Sequence, residues 1–164
     1  MNIEKPTLRP FRDTDKEIIL DILTDEHVKK TYMLPDFENR DAAVPLFLRL
    51  KELSKEKSRY VRCISIGDSP VGFLNDVEIQ GSKIELGYVI HPAFQRRGYM
   101  TGALNAAIEE LRSKGFREII TGAFESNSAS IRVMEKCGMV RLAETEEITY
   151  RGNVHRCLYY TLKP

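Results

Sequence analysis

The stretch that decides the fold runs Gly87-Tyr88-Val89-Ile90-His91-Pro92-Ala93-Phe94-Gln95-Arg96-Arg97-Gly98-Tyr99-Met100-Thr101. It joins a predicted strand that ends at Ile90 to a predicted helix that begins near Tyr99. The free backbone N–H groups and the positive dipole end of a helix N-terminus attract phosphate. Gly98 has no β-carbon and therefore lets an anion approach the backbone closely. Arg96 and Arg97 add positive charge where helices usually carry acids, so the sequence predicts an anion at this turn.

The residue types of this turn also fit a simple solvated basic turn. A glycine after two arginines is a weak signal, and the residues alone leave both interpretations open. The sequence contains neither G-x-x-x-x-G-K-S/T nor G-x-G-x-x-G. The sequence therefore lacks the motifs that usually indicate nucleotide hydrolysis or dinucleotide binding.

The segments before the turn predict a short strand, two helices and a meander of strands. The strand is expected at 7–10, and the first helix follows a capping box at Thr14–Glu17. A second helix is expected from Asp41, with Pro45 in its first turn. Alternating apolar residues then predict three strands separated by turn residues, at 59–65, 71–78 and 84–90.

The segments after the turn alternate between helix and strand patterns. Helical spacing covers 99–114 and 128–136, and strand patterns cover 119–123, 140–149 and 155–162. A strand, a helix and a second strand in this order indicate a parallel pair joined by a crossover helix. The sequence therefore predicts an α/β fold with a mixed sheet and helices on both faces.

Length and composition indicate one domain, 1–164, of ordinary globular type. The chain has 164 residues and a net charge of +1, which gives no case for a nucleic-acid or membrane partner. Its three cysteines, Cys63, Cys137 and Cys157, are too scattered for a disulfide framework or a metal site, so no metal is expected. The polar N-terminus and the lack of a membrane-length apolar run predict a cytoplasmic location.

Residues 87–101 resemble the central motif of the GNAT superfamily of acetyltransferases, Q/R-x-x-G-x-G/A, placed between a strand and a helix. Gln95 and Gly98 match that pattern, whereas Met100 departs from it at the last position. Residues 127–139 resemble the family's asparagine-containing helix, which ends in a glycine followed by a large apolar residue. The opening stretch at 8–15 and the Gly87-Tyr88 pair are similar to the subgroup of ribosomal-protein N-terminal alanine acetyltransferases.

This resemblance implies a fold, a cosubstrate and a binding site. The implied fold is a mostly antiparallel seven-stranded sheet in which one parallel pair is splayed, and the implied cosubstrate is acetyl-CoA. Main-chain groups of Val89 and Ile90 are expected to hold the pantetheine arm, and Asn127 is expected near that arm. The CoA pyrophosphate is expected on the turn and first helical residues: Gln95, Arg96, Arg97, Gly98, Tyr99, Met100 and Thr101.

The resemblance also raises the question of the proton donor for the leaving thiolate. Many family members use a tyrosine seven positions after the asparagine, but Met134 occupies that position here. Ser130 lies one helical turn after Asn127 and is the best remaining donor. The other interpretation of Ser130 is an ordinary serine in the first turn of a helix.

Glu85 is the main candidate for the base that removes the amine proton. It lies on the strand that leads into the cofactor site. A cross-strand or helix-facing salt bridge is the competing interpretation. His91 and Glu125 are further candidates, and each also fits a surface or turn residue.

The expected reaction is direct attack of a primary amine on acetyl-CoA in a ternary complex. The absence of a compelling base favours an α-amine, of pKa near 8, over a lysine amine. The expected acceptor is a protein N-terminus, a small amine or an amino-acid-like compound. Resemblance to the alanine acetyltransferases also leaves a homodimer open. A non-catalytic acyl-CoA-binding regulatory module is the alternative, because Met134 replaces the usual tyrosine.

Overall fold

The computed structural model describes residues 4–164; residues 1–3, which the domain prediction includes, lie outside the described part. The strands are β1 Thr7–Arg9, β2 Val61–Ile66, β3 Ser69–Gln80, β4 Lys83–Ile90, β5 Glu118–Phe124, β6 Val140–Tyr150 and β7 Asn153–Leu162. The helices are α1 Lys16–Thr24, α2 Val44–Leu53, α3 Tyr99–Ser113 and α4 Ser128–Lys136. Short 3-10 turns lie at Asp13–Asp15, Val28–Lys30, Asp41–Ala43 and Pro92–Phe94.

The seven strands form one sheet in the order β1-β2-β3-β4-β5-β7-β6. The β4–β5 pair is parallel, and the five other neighbouring pairs are antiparallel. α3 supplies the crossover that parallel neighbours require. The predicted mixed, mostly antiparallel α/β fold is therefore confirmed.

The sheet separates two hydrophobic cores, because successive side chains of a strand point to opposite faces. Ile84 and Leu86 of β4 pack in the core that contains the apolar faces of α3 and α4. Val89 of the same strand packs in the other core, which contains α1 and α2. Helices therefore cover both faces of the sheet, and the side chains of β4 alternate between these two faces.

The start of α1 differs from the predicted capping box at Thr14–Glu17. The carboxylate of Asp15 accepts a hydrogen bond from the Arg12 backbone N–H at 2.7 Å. The same carboxylate accepts two hydrogen bonds from the guanidinium of Arg9, at 2.8 and 2.9 Å. Asp15 is 1% exposed, and pairing with Arg9 from β1 compensates the burial of its charge. The N-cap residue of α1 is thus Asp15, whose carboxylate is engaged by Arg9 and by the Arg12 N–H and makes no capping hydrogen bond to the helix.

Candidate active site

The parallel strands β4 and β5 separate towards their carboxyl ends. Their last paired residues are Leu86 and Thr121. Beyond that point β4 stays paired with β3 up to Ile90, and β5 stays paired with β7 up to Phe124. Within residues 4–164, the facing edges of the two strand ends therefore lack a strand partner. Such a gap leaves backbone hydrogen-bonding groups available to an extended ligand, and the predicted splayed pair is confirmed.

Two glycines lie where the strands separate. Gly87 and Gly122 follow directly after the last paired residues of β4 and β5. A β-carbon on Gly87 would lie 3.3 Å from Oδ1 of Asn75, and one on Gly122 would lie 2.8 Å from the ring of Tyr159. The two glycines therefore leave room for the side chains of Asn75 on β3 and Tyr159 on β7, the strands on either side of the parallel pair.

A bulge in β3 lies at the same level of the sheet. The register shifts between Asp76, which pairs with Leu86, and Glu78, so that Val77 is the extra residue. A bulge bends the strand and increases its twist. Asp76 is 5% exposed and is fixed by hydrogen bonds to the guanidinium of Arg59, the shortest at 2.7 Å. The bend is therefore anchored in the fold next to the place where β4 leaves β5.

Gly72 of β3 supports the splayed part of β4 from the opposite side. A β-carbon at residue 72 would lie 2.2 Å from the carbonyl oxygen of Val89 and 2.9 Å from Cα of Ile90. Both atoms belong to the backbone, which cannot move without displacing the strand. The residues predicted to hold the pantetheine arm are thus positioned by a glycine that the sequence analysis did not identify.

The turn of residues 95–98 connects the Pro92–Phe94 turn to α3. Arg96 has a φ angle of 63° and Gly98 a φ angle of 79°, both in the left-handed region. Gly98 is the N-cap of α3, and none of the side chains of residues 4–164 caps the first turn of that helix. The N–H groups at this helix start are therefore free of a side-chain acceptor, which suits an anionic ligand.

The polar side chains of this turn lie at the protein surface. Gln95, Arg96 and Arg97 are exposed. The guanidinium of Arg97 lies 5.8 Å from the ring centre of Phe94, a cation–π distance. The turn thus combines free backbone donors with two exposed positive charges.

The first residues of α3 have buried or half-buried side chains. Met100 is 7% exposed, and its side chain packs in the core under α3. Tyr99 and Thr101 are half-buried, and the Thr101 carbonyl accepts a hydrogen bond from the Cys137 thiol at 3.6 Å. Met100, which departs from the family motif, therefore places its larger side chain in the core and not in the turn.

Asn127 is the N-cap of α4. Its side-chain Oδ1 accepts a hydrogen bond from the Ser130 backbone N–H at 3.2 Å. Because β5 ends at Phe124, only three residues earlier, this cap places the first turn of α4 near the splayed end of the sheet. The predicted contact of Asn127 with the cofactor arm stays a prediction.

Ser130 lies next to Tyr88, a residue that the sequence analysis quoted without assigning it a role. The Tyr88 hydroxyl lies 2.7 Å from Oγ of Ser130 and 3.2 Å from its backbone carbonyl oxygen. Tyr88 belongs to the splayed part of β4, whereas Ser130 belongs to the first turn of α4. Burial raises the pKa of Tyr88 far above its usual value, so the phenol stays protonated at neutral pH.

Met134 replaces the tyrosine of the family pattern and faces the core. It is 0% exposed, and the hydroxyl of Thr121 on β5 contacts its sulfur atom. The side chain at this position therefore fills space between α4 and the sheet.

Glu85 is half-buried and lies two residues before Gly87, on the same face of β4. It lines a cavity of about 220 Å³ together with residues that include Glu78, Glu146 and Tyr159. Burial, and then the charges of Glu78 and Glu146, raise the pKa of Glu85. The described ion pairs do not include Glu85, although the sequence left a salt bridge open as its alternative role.

The two other candidates for a base have different surroundings. His91 caps the Pro92–Phe94 turn, where its Nδ1 accepts a hydrogen bond from the Ala93 N–H at 3.0 Å. Glu125 is exposed and lines a second cavity, of about 360 Å³, at the end of β5. His91 therefore has a structural contact that explains its presence, whereas Glu125 borders open space.

The loop between α1 and α2 contacts the β6–β7 hairpin on the face that carries Glu85. The hydroxyl of Tyr150 accepts a hydrogen bond from the Leu34 N–H at 3.2 Å. Arg151 pairs with Glu26 at 3.2 Å and with Asp36 at 3.5 Å. These contacts bring together the segments that surround the end of β5.

An aromatic cluster completes this region. The ring of Phe124, the last residue of β5, stacks on His155 with centres 4.3 Å apart. Tyr150 packs against both rings at 6.1 Å. Phe124 and His155 also line the cavity of about 360 Å³. The cluster therefore forms an apolar wall beside the splayed end of β5.

Metal binding and membrane insertion would indicate function classes other than acyl transfer. Across residues 4–164, no three His, Cys, Asp or Glu side chains gather in a way that could hold a metal ion. In the same part of the chain, no helix has the length and apolar character needed to span a bilayer.

The chain matches the family model described as acetyltransferase (GNAT) domain over residues 6–140. The match covers most of the chain and includes the splayed strands, the turn and the start of α4. The chain belongs to this family, which makes it an acetyl-CoA-dependent acyltransferase. The family prediction is thereby confirmed.

Comparison with solved structures gives the same fold. A GNAT-family acetyltransferase from Bacillus anthracis is 21% identical, with a TM-score of 0.82 over 99% of this chain and 97% of that chain. Spermidine N-acetyltransferase from Vibrio cholerae, in complex with CoA and spermine, is 16% identical, with a TM-score of 0.81 over 97% and 95%. RimL, the ribosomal L7/L12 alpha-N-protein acetyltransferase, is 16% identical, with a TM-score of 0.84 over 98% and 91%. A comparison with proteins of curated function finds no significant match.

Proposed function

We propose that this chain transfers the acetyl group of acetyl-CoA to a primary amine, by direct attack of the amine in a ternary complex. The observation that supports this most strongly is the gap between β4 and β5, which opens beside the turn of residues 95–98. An extended arm with amide groups suits unpaired strand edges, and a pyrophosphate suits a helix N-terminus. CoA carries both groups in one molecule.

In this proposal the cosubstrate is held mainly by the backbone. Val89 and Ile90 offer main-chain groups to the pantetheine arm, and the N–H groups of residues 96–101 hold the pyrophosphate. The side chain of Gln95 and the two arginines strengthen the pyrophosphate contact. A backbone N–H at the splay, that of Ile90 or a neighbour, polarises the thioester carbonyl as negative charge develops on its oxygen.

Glu85 is proposed as the base that receives the amine proton, directly or through water. It lies about 7 Å along β4 from Gly87, the residue at which the strands separate. The raised pKa of Glu85 brings this carboxyl closer to neutral pH, which suits a general base. Carboxylates in the adjoining cavity also favour an acceptor that arrives as a cation.

Ser130 is proposed as the hydrogen-bond donor to the leaving sulfur. Asn127 caps the helix turn that carries it, and its hydroxyl lies near the splayed part of β4. Met134 is buried in the core and has no proton to donate. Among the described residues of the first turn of α4, Ser130 therefore combines a hydroxyl with a position facing the gap.

The acceptor is proposed to be a small amine or a protein N-terminus. Two proteins of the same fold are named for such acceptors, spermidine in one case and the α-amine of a ribosomal protein in the other. The acceptor is expected to enter over the face that carries Glu85, between the α1–α2 loop and the β6–β7 hairpin. The stack of Phe124 on His155 forms one wall of that route.

A non-catalytic acyl-CoA-binding module is the second candidate. Met134 supports it, since the usual tyrosine donor is replaced by a core residue. Such a module would keep the turn and the gap, and it would bind acetyl-CoA without turnover.

An acceptor screen separates the two candidates. The protein is incubated with acetyl-CoA and with peptides of varied N-terminus, polyamines or amino acids, and CoA release and the acetylated product are both measured. Binding of acetyl-CoA is measured separately by calorimetry. An acetylated amine identifies a transferase, whereas tight binding without any product identifies the non-catalytic module.

Two serine variants test the donor in the same assay. Ser130→Ala is expected to lower kcat by about ten- to a thousandfold, the effect of losing a positioned donor. Ser128→Ala is the matched control, because Ser128 lies in the same helical turn and is exposed. Equal turnover of Ser130→Ala and the parent would assign the donor to water or another residue.

A further inference from the structure

The hydroxyl of Tyr88 bridges the two sides of the gap between β4 and β5. It extends from the splayed part of β4 to the first turn of α4, the helix that follows β5. Its oxygen lies 2.7 Å from Oγ of Ser130, a normal distance for a hydrogen bond between hydroxyls. The two residues are 42 positions apart in sequence, so only the folded chain brings them together.

Ser130 is thus held by two different groups. Asn127 fixes its backbone N–H, and Tyr88 contacts its side-chain oxygen. A serine hydroxyl has one proton to donate and rotates freely about its C–O bond. When another hydroxyl donates to Oγ, the serine proton is directed away from that donor and remains available to a further acceptor.

The Tyr88 proton has two acceptors within reach, and Oγ of Ser130 at 2.7 Å is closer than the Ser130 carbonyl oxygen at 3.2 Å, so the shorter contact favours donation to Oγ. The Tyr88 side chain is half-buried and packs against the core formed with α3 and α4. Ionisation of the buried phenol is unfavourable. Hydrogen bonds arranged in a chain also strengthen one another in a medium of low dielectric constant.

We propose that Tyr88 is a positioning residue of the transferase: its hydroxyl donates to Oγ of Ser130 and thereby directs the Ser130 proton at the sulfur of CoA. This proposal rests on the proposed function. As the amine nitrogen forms its bond to the acetyl carbon, the C–S bond breaks and its electron pair passes to sulfur. Ser130 donates a hydrogen bond to that developing thiolate, and the amine proton goes to Glu85 or to water. Both hydroxyls keep their protons.

The experiment is a double-mutant cycle of Tyr88→Phe and Ser130→Ala, with kcat and the KM for acetyl-CoA measured for each variant. Tyr88→Phe keeps the ring and removes only the oxygen. It is expected to lower kcat by about tenfold, the effect of about 1.4 kcal/mol, and to leave KM within about twofold of the parent. In the Ser130→Ala background the same change is expected to have no further effect, because the group through which Tyr88 acts is absent.

Tyr60→Phe is the matched control. Tyr60 is buried in the same core, and its hydroxyl bonds the Glu110 carboxylate at 3.1 Å, outside the splayed strands. It is expected to change stability without changing kcat. Thermal unfolding of every variant separates a loss of folded protein from a loss of turnover.

The outcomes separate this proposal from the proposed function. Parent-like turnover of Tyr88→Phe, or losses that multiply in the double variant, would overturn the role of Tyr88 while the parent still acetylates amines. A parent that binds acetyl-CoA but acetylates no amine would overturn the proposed function, and the role of Tyr88 with it. A loss in Tyr88→Phe that disappears in the Ser130→Ala background supports the proposal.

Discussion

Gly72 of β3 and Val89 of β4 are in such close contact that a β-carbon on Gly72 would lie 2.2 Å from the Val89 carbonyl oxygen. The contact falls where β4 has already left β5, so β3 alone supports that part of the strand within the sheet. The shape of the candidate acetyl-CoA site therefore depends on a residue that does not border the gap.

Gly72→Ala is expected to destabilise the fold and to weaken acetyl-CoA binding together. Relief of the clash requires movement of the backbone at Val89 and Ile90, and overpacking of this kind costs about 1–3 kcal/mol. Acetyl-CoA affinity is expected to fall about tenfold or more, which corresponds to about 1.4 kcal/mol. Urea denaturation and calorimetric titration measure the two effects.

Gly81→Ala is the control for that experiment. Gly81 has a φ angle of 59° and open space around its missing side chain, so alanine there costs about 1–2 kcal/mol of backbone strain. It lies in the β3–β4 turn, at the other end of β4, and acetyl-CoA affinity is expected to be unchanged. Parent-like affinity of Gly72→Ala would show that β4 tolerates the displacement.

The turn of residues 95–98 is expected to bind acetyl-CoA through its backbone more than through its charges. Gly98→Val places a β-branched residue at a φ angle of 79°, which such residues rarely adopt. Affinity is expected to fall by roughly thirty- to a thousandfold, or about 2–4 kcal/mol. Arg96→Gly adopts the left-handed conformation without strain and removes the side chain with its charge, so its loss of affinity is expected to be smaller. Equal losses in calorimetric titrations would favour side-chain charge over backbone contact.

Glu85→Gln is expected to stabilise the protein at neutral pH while it lowers turnover by about a hundredfold. The folded-state pKa of Glu85 is raised, so the stability contributed by its protonated form is present below the unfolded pKa, near 4.3. That stability is lost as pH rises through the folded pKa. Urea denaturation from pH 4 upwards should therefore show a growing advantage of the variant.

Glu109→Gln is the control for Glu85→Gln, because Glu109 is an exposed glutamate of α3. It is expected to change neither stability nor turnover. A Glu85→Gln variant that is less stable than the parent at pH 7 would mean that the carboxylate has a favourable partner in the folded protein.

Met134→Tyr is expected to destabilise the fold rather than to supply a proton donor. Met134 is 0% exposed and contacts Thr121, so the larger ring has no room and overpacking costs about 1–3 kcal/mol. Met134→Leu conserves volume and is expected to cost less than about 1.5 kcal/mol. The midpoints of thermal unfolding compare the two. A Met134→Tyr variant with parent stability and raised kcat would show that the side chain can turn towards the gap.

The cysteines are expected to be unreactive in the folded protein. Burial raises the pKa of Cys63 to about 12 and that of Cys137 to about 11, so almost no thiolate is present at pH 7. Iodoacetamide should therefore label the native chain far more slowly than the chain in urea, as measured by mass spectrometry. An acetylated cysteine trapped during turnover would contradict direct attack by the amine.

Much of the fold could be predicted because its signals are local. The strand-to-helix turn at 95–98, the crossover helix and the end of α4 each depend on residues close together in sequence. α4 was predicted at 128–136 and begins and ends there. The predicted capping box at Thr14–Glu17 does not form, because Asp15 is the N-cap residue of α1 and its carboxylate pairs instead with Arg9 of β1.

The candidate site was predicted less completely, since its decisive contacts join distant segments. The motif identified the turn, and the resemblance placed Val89, Ile90, Asn127 and Ser130 near a cofactor. It did not assign a role to Tyr88, whose significance depends on the hydroxyl of a serine on another element. A glycine such as Gly72 also gives no local signal, because its role is set by the strand opposite.

The sequence by itself determined the family of this protein, the order of its helices and strands, and the turn with free N–H groups at the start of α3. These properties follow from hydrophobic periodicity and from backbone preferences that act over a few residues. Only the tertiary structure decided which distant residues are in contact: Gly72 with Val89, Tyr88 with Ser130, and Met134 with Thr121. Those contacts depend on sheet register and on packing between distant segments, and close packing permits only a few arrangements of the side chains involved.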